Sequence, residues 1–431
     1  MPLRKPVAIA ALWWCRSAVL SQGHCRMKAA SGLAAALVAT TGGQALATLA
    51  VYVLPVLAPA ATRDLGIAPH WIGYQVALIY GAASTGSVLS VGALRRFGPA
   101  RCTQIALAAA AAACLAMALG GVVAAAFGSV VIGLGYGLTN PAASQVLTRL
   151  APPSRRNMVF AVKQMGVPIG AALAGFLLPG ASLVLGWRGA ALAVAVVLLG
   201  ATAALGVFRP HWDTERDRRF PLLRMGAGGS GISALRERPG LAALAAVGGL
   251  YSSIQLAFGA YAVTMLVEEF GWGPVAAGAA AATTQVLGAV ARLAWGAAAD
   301  FWRSGLGVLA AIGFISALGV LALPLAVHWP EAAVLALFCA LGASAAGWNG
   351  VLMAEAARLA APGRAGDAAG GVLAVTFGGV VAGPSVFAVV VGLMGSYAFA
   401  FATLGVLPLA GALVALQTRR REVRAEAAER S

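Results

Sequence analysis

From residue 32 to residue 417 the chain is a succession of apolar stretches, most of them roughly eighteen residues or longer, separated by short polar or basic turns. No soluble core can absorb so many. A helix of about 20 residues spans the ~30 Å hydrocarbon layer of a bilayer, where backbone polar groups have to bond within the segment that carries them. The pattern predicts an all-α integral membrane protein with twelve transmembrane helices in two pseudo-symmetric six-helix bundles. We place the crossings at 32–60, 71–94, 102–120, 122–147, 156–180, 187–208, 241–267, 274–299, 305–327, 331–353, 367–393 and 395–417. The longest polar segment, 209–240, falls between the sixth and the seventh. The expected organisation is an N-terminal extension (1–30), a first bundle (31–208), a cytoplasmic linker (209–240), a second bundle (241–417) and a cytoplasmic tail (418–431). Its Gly/Ser patch makes the linker flexible.

Charge sets the orientation. With both termini cytoplasmic, the segments on that side carry all of the 30 Lys and Arg residues except Arg63, Arg188, Lys163 and Arg292. Shifting the count by one helix scrambles this bias, so it supports both the number of crossings and their direction. The net charge of +16 is then a topology signal, and no nucleic-acid partner is implied. The bilayer is the implied partner, at the inner or plasma membrane.

Near the N-terminus, residues 7–20 form an apolar run of signal-peptide length that Arg16 interrupts, and Met27 opens a segment resembling the start of a transporter. Residues 1–26 are expected to be a misassigned start or a disordered extension. The five cysteines are scattered, and the four histidines lie in terminal, loop or helix-end positions. They assemble no metal site and no triad, so neither metal nor cofactor is expected.

Two internal matches organise the rest. SVGALRRFGPARC (90–102) aligns with AWGAAADFWRSGL (294–306), setting Gly92 on Gly296 and Arg96 on Asp300. LTRLAPPSRRNMVFAVKQMGVPIGAALAG (147–175) aligns with AARLAAPGRAGDAAGGVLAVTFGGVVAGP (356–384), setting Arg149 on Arg358, Arg155 on Arg364 and Gly170 on Gly379. A parallel repeat of two halves is the plan of a rocking transporter with its site between them.

On these features the chain, over essentially all of 30–420, resembles the major facilitator superfamily. That family carries a short signature after helices two and eight: a Gly, an acid at a helix end, then basic residues. The second copy here keeps Gly296, Asp300 and Arg303, whereas the first has Arg95 and Arg96 where the acid belongs. GWRGA at 186–190, opening helix six, is also similar. The resemblance implies alternating access and a conformational latch drawn from Gly296, Asp300, Arg303, Gly92 and Arg96, with half of it lacking its acid.

Two charges remain inside the membrane. Lys163 lies seven residues past Arg156, roughly 10 Å at helical rise, and Arg292 eight residues before Asp300, roughly 12 Å. A cation at that depth costs at least about 2.5 kcal/mol. All 14 acids fall at or beyond the interfaces, so neither cation meets a protein carboxylate at its own level. The resemblance implies that helices five and eight face each other across the cavity, which brings the two cations together and leaves an anion as the absent component. Arginine grips a carboxylate with two parallel hydrogen bonds, and lysine adds a point charge. Gln164 beside Lys163, Gln44 in helix one and Asn140 in helix four are candidates to orient such a substrate. Gln255, Gln285 and Asn349 are candidates from helices seven, eight and ten, with Gln75 in helix two. Tyr52, Tyr136, Tyr251 and Trp348 are candidate walls.

Structural roles stand beside these. Arg292 can cap backbone carbonyls near a helix break, Lys163 can snorkel to the surface, and a Gln or Tyr can bond helix to helix. The expected function is secondary transport of a small organic anion, mono- or dicarboxylate-like, by a monomer, through exchange or proton-linked symport. The alternative is efflux of hydrophobic or drug-like compounds. An integral membrane enzyme would need nucleophile, base or metal ligands clustered at one depth, and a receptor would be expected to carry an added soluble domain.

Overall fold

In lipid, a run of alanine, leucine and valine has one way to satisfy its backbone, and helix is what the chain forms. The computed structural model describes residues 32–152, 156–222, 233, 235–236, 238–361 and 365–430. The expected N-terminal extension, Arg155 and Arg364 of the repeat, and most of the linker beyond residue 222 lie outside the described residues. Among the described residues eleven helical runs are long and apolar enough to cross a membrane. In chain order they are α1 (Gly32–Leu65), α2 (Pro69–Phe97), α3 (Pro99–Leu119), α4 (Val122–Leu150), α5 (Met158–Trp212) and α6 (Gly240–Glu268). There follow α7 (Pro274–Phe301), α8 (Gly305–Ala326), α9 (Glu331–Leu359), α10 (Ala368–Met394) and α11 (Tyr397–Arg424).

The difference from twelve lies in α5, a run of 55 residues. A straight helix of that length would measure about 80 Å, well over twice the hydrocarbon thickness. Gly186 breaks it, with φ 69° and ψ 166°. Just past the break, Arg188 donates to the carbonyls of Ala118 and Gly120 at the end of α3, at 2.7 and 3.1 Å. Immediately after the run, Asp213 accepts from the backbone of Ala100 and Arg101 at the beginning of α3. The chain therefore turns back at Gly186.

The helix ends carrying Arg95, Arg149, Arg303, Arg358 and Arg419 form one face, here termed the basic face. Asp64, Arg188, Glu268 and Glu331 mark the opposite one. At the opposite face Arg63 pairs with Glu268 at 3.1 Å across the two groups of helices, and within the earlier group Asp64 accepts from Trp187 at 3.0 Å and from Arg188 at 2.9 Å. Tyr261 of α6 donates to the His70 carbonyl of α2. Glu269 caps the start of α11 through the N–H groups of Tyr397 and Ala398, at 2.9 and 3.0 Å.

Small residues decide how near the helices come. Gly170 of α5 lies against the Ala45 carbonyl of α1, and its repeat mate Gly379 of α10 lies against the Gly249 carbonyl of α6. A methyl group at either would strike backbone, so the aligned glycines share one packing role. Gly175 of α5 and Gly278 of α7 face each other's carbonyls toward the opposite face, an antiparallel contact joining the earlier helices to the later ones. Continued down the two helices, that register sets Lys163 level with Arg292.

Candidate functional site

Helix breaks build the site. α1 is interrupted at Tyr52, where φ is −90° and ψ 1°. α9 is helical to Ala345 and again from Asn349, with a turn between. An interruption frees carbonyls that need donors inside the membrane. α7 supplies them: Arg292 Nε donates to Ala346 O at 3.0 Å, and Trp295 Nε1 donates to Ala343 O at 2.9 Å. The capping role open to Arg292 from its sequence position is thus realised, but through one of its nitrogens. No carboxylate among the described residues pairs with the guanidinium.

Arg292 lines a cavity of about 60 Å³ between the two groups of helices, together with Tyr52, Tyr80, Pro168, Gln255 and Gln285. That is room for only a few waters, so a substrate enters only when helices part. Leu256, Phe258 and Val167 make the wall largely apolar. Gln285 Nε2 reaches the Tyr52 hydroxyl at 3.5 Å, linking α7 to α1. Asn349 Nδ2 donates to Gln255 Oε1 at 3.3 Å and stands one layer behind the cavity. The guanidinium also lies within electrostatic reach of the hydroxyls of Tyr52 and Tyr136. Tyr80, edge-on to Tyr136 with ring centroids 6.1 Å apart, belongs to the site although its sequence position did not single it out. The available signal was a tyrosine in the middle of the apolar run of α2, six residues past Tyr74.

Lys163 is elsewhere. It is 2% exposed and does not line the cavity. Its ammonium donates to Gln44 Oε1 on α1 at 3.2 Å, to Gln164 Oε1 at 3.2 Å, and to Asn140 Oδ1 on α4. Three N–H groups thus meet three neutral oxygens, and Lys163 does not snorkel to the surface. Gln44 Oε1 also accepts from Thr139 Oγ1 at 3.0 Å. Asn140 and Gln164 are exposed, so the cage has a polar outer rim.

Trp348 and Tyr251 are core residues. Trp348, 1% exposed, donates to Ala345 O at 2.8 Å, and Tyr251 donates to Leu309 O at 2.7 Å. Gln75 is buried with its Oε1 unpartnered among the described residues. Of the expected latch, Asp300 and Arg303 line a cleft of about 530 Å³ on the basic face with Glu355, Arg358, Arg419 and Glu422. Gly296 of α7 has open space beside it, whereas Gly92 of α2 is backed by the Leu222 main chain. Arg96 lies over the Phe97 ring at 5.7 Å.

Residues 40–370 match the sequence profile of the Major Facilitator Superfamily. No curated protein matches the chain. Among solved structures, a POT family transporter in complex with a thioalcohol-conjugated peptide is similar at TM-score 0.72 and 15% identity, over 91% of this chain and 96% of that one. A bacterial homologue of the human lysosomal transporter Spinster, inward-facing and occupied, is similar at TM-score 0.68 and 15% identity, over 89% and 96%. The nucleoside transporter NupG is similar at TM-score 0.66 and 16% identity, over 89% and 99%. These likenesses concern the fold, while the profile covers most of the chain. The protein belongs to the Major Facilitator Superfamily and is a multi-pass membrane transporter, not an enzyme.

Proposed function

We propose that the protein carries a small organic anion, mono- or dicarboxylate-like, across the plasma or inner membrane by alternating access. Counting the two legs of α5 separately makes twelve crossings, in two six-helix bundles that rock about the cavity. The excess of Lys and Arg on the basic face makes that face cytoplasmic, with both termini on the same side. The closed opposite face then corresponds to a conformation approached from the cytoplasm.

One observation carries the substrate class: Arg292, on the cavity wall, keeps its Nη edge free of any carboxylate partner among the described residues while its Nε is anchored to Ala346. An anchored guanidinium is pre-organised for a carboxylate, and a buried cation is stabilised by an anion that arrives with the cargo. Gln285 and Gln255 supply amides beside it, Asn349 backs Gln255, and Tyr52 and Tyr136 supply hydroxyls. Lys163 and Gln164 with Gln44 and Asn140 form the second positive element, reached by cargo only if the amide cage opens. Asp300, Arg303 and Gly296 act as the latch of the later bundle.

The test is thermal stabilisation of the purified protein by a panel of carboxylates, lactate and succinate among them, comparing wild type with Arg292→Gln and Arg292→Lys. A stabilising carboxylate should lose at least about tenfold in affinity with the glutamine variant, equivalent to ~1.4 kcal/mol. The lysine variant, deprived of the two-pronged grip, should fall between. Carboxylate binding untouched by Arg292→Gln would defeat the assignment. The apolar walls formed by Val167, Leu256 and Phe258 favour a second reading, efflux of hydrophobic compounds. Stabilisation by uncharged hydrophobic compounds alone, equal in wild type and Arg292→Gln, would establish it.

A further inference from the structure

The chain contains three lysines, Lys5, Lys28 and Lys163, and places arginine at every other basic Lys/Arg position. Lys163 is the only lysine among the described residues. Arginine stays protonated throughout the physiological range, whereas a lysine amine can give up its proton. Among the described residues every other Lys/Arg position is arginine; at the centre of the earlier helices the chain uses lysine.

The surroundings of Lys163 suit both forms of the side chain. As an ammonium it has three donors, matched by the oxygens of Gln44, Asn140 and Gln164. As a neutral amine it would have a lone pair that needs a donor. Gln44, 1% exposed, holds one in reserve: its Nε2 has no hydrogen-bond partner among the described residues. Turning the Gln44 amide would present that N–H to the amine. Thr139 has one hydroxyl proton within reach of both Gln44 Oε1, at 3.0 Å, and the Tyr136 carbonyl, at 2.7 Å, and would keep the carbonyl as its partner.

Among the described residues no acid faces the ammonium. α1 presents Gln44 and, a little over two turns on, Tyr52; its charges, Arg63 and Asp64, are engaged at the opposite face. α4 presents Thr139, Asn140 and Tyr136, with Arg149 at the basic face. On α5 the remaining charges, Arg188 and Arg209, and His211 lie at or near the ends of its second leg. Across the cavity, α7 presents Arg292 at the same level. The exposed amides of Asn140 and Gln164 give water a short path to Nζ.

We propose that Lys163 is the proton-exchanging residue of the transport cycle. Charged, it ties α1, α4 and α5 together in the conformation seen here. Neutral, it keeps two N–H groups for Asn140 and Gln164 and takes a hydrogen bond from Gln44, and the loss of charge loosens the cage so that the opposite face can open. The proton leaves Nζ for water at the exposed rim and returns by the same route. This rests on the proposed anion transport and adds to it the coupling ion.

The test needs no identified substrate. Spin labels on Val184→Cys and Ala276→Cys, in protein whose native cysteines are replaced by serine, report the separation of α5 and α7 at the opposite face. In wild-type background the distance should be short at acid pH and lengthen at alkaline pH. With Lys163→Arg it should stay short at every pH. With Asn140→Asp, which sets a carboxylate against the ammonium, the lengthening should move to more alkaline pH. A pH-independent distance in wild-type background, an unaltered response in Lys163→Arg, or an unmoved midpoint in Asn140→Asp would each overturn the proposal. Arg292→Gln separates the two readings: it should abolish the effect of added succinate and leave the pH response intact. Loss of succinate binding with no pH response would remove the proton site alone, and a pH response without any carboxylate effect would remove the anion site alone.

Discussion

The turn between α2 and α3 and the turn between α7 and α8 are copies of one sequence motif, held by different means. α8 is capped locally, Ser304 Oγ accepting the Gly307 N–H at 3.1 Å. α3 opens on Gly98 and Pro99, which offer no polar side chain, and its exposed N–H groups are met from far along the chain. Asp213 accepts from Ala100 N at 2.8 Å and from Arg101 N at 3.2 Å. Gly98, with φ +88°, lets the carboxylate come this close. The segment after α5 continues across the first copy: Asp217 N donates to Arg95 O at 2.7 Å, and Arg95 lies over the Phe220 ring at 5.0 Å.

The lesson is that the copy without its acid has become a seat for the segment after α5, while the copy with its acid stays open. A related clasp survives in both. Arg149 pairs with Glu215 at 3.3 Å, and its repeat mate Arg358 pairs with Glu422 at 2.7 Å. Each glutamate follows the last apolar stretch of its half.

Substitutions can break this comparison. Asp213→Ala should have the largest effect, because two backbone N–H groups lose their acceptor at about 1–3 kcal/mol each. Ser304→Ala removes one local cap and should cost about 1 kcal/mol. Thermal or denaturant unfolding that ranked the two alike would show that the linker contact is incidental.

A pH series sharpens the same point. Burial pushes the Asp213 carboxyl above the usual range, outweighing the backbone donors and Arg209 that pull it down. The folded state therefore binds this proton more readily than the unfolded chain. The resulting stabilisation is fully present below the unfolded value and is lost as pH rises through the raised one. Asp213→Asn should flatten that decline in a plot of stability against pH. The smallest effect belongs to Asp300→Asn: an exposed acid without an ion pair among the described residues should move stability by no more than about 0.5 kcal/mol. A large loss would mean that the second copy is as firmly seated as the first.

The two membrane cations show how far the sequence could be followed. Both were visible in it, since a charge in an apolar run stands out and counting residues to the nearest interface gives its depth. What each does there was not. Arg292 meets a carbonyl freed by an interruption of α9; Gly347 and the Asn349–Gly350 pair mark that break, but not which distant donor meets the carbonyl. Lys163 is enclosed by amides from three separate stretches of chain, and only packing brings Gln44 and Asn140 to it. Aromatic residues were the least legible. Trp348 and Tyr251 fill the core of the later helices, whereas Tyr80 reaches the cavity.

By itself the sequence determined that the chain is helical, membrane-spanning and internally repeated, and which of its ends are basic. Those properties follow from the length of apolar runs and from the scarcity of charge within them, both of which are local. The tertiary structure alone decided which cation faces the cavity, which is enclosed, and where α3 finds its cap. Those outcomes depend on contacts between distant segments, where glycines and helix breaks bring side chains within hydrogen-bond range, and a linear pattern does not encode that distance.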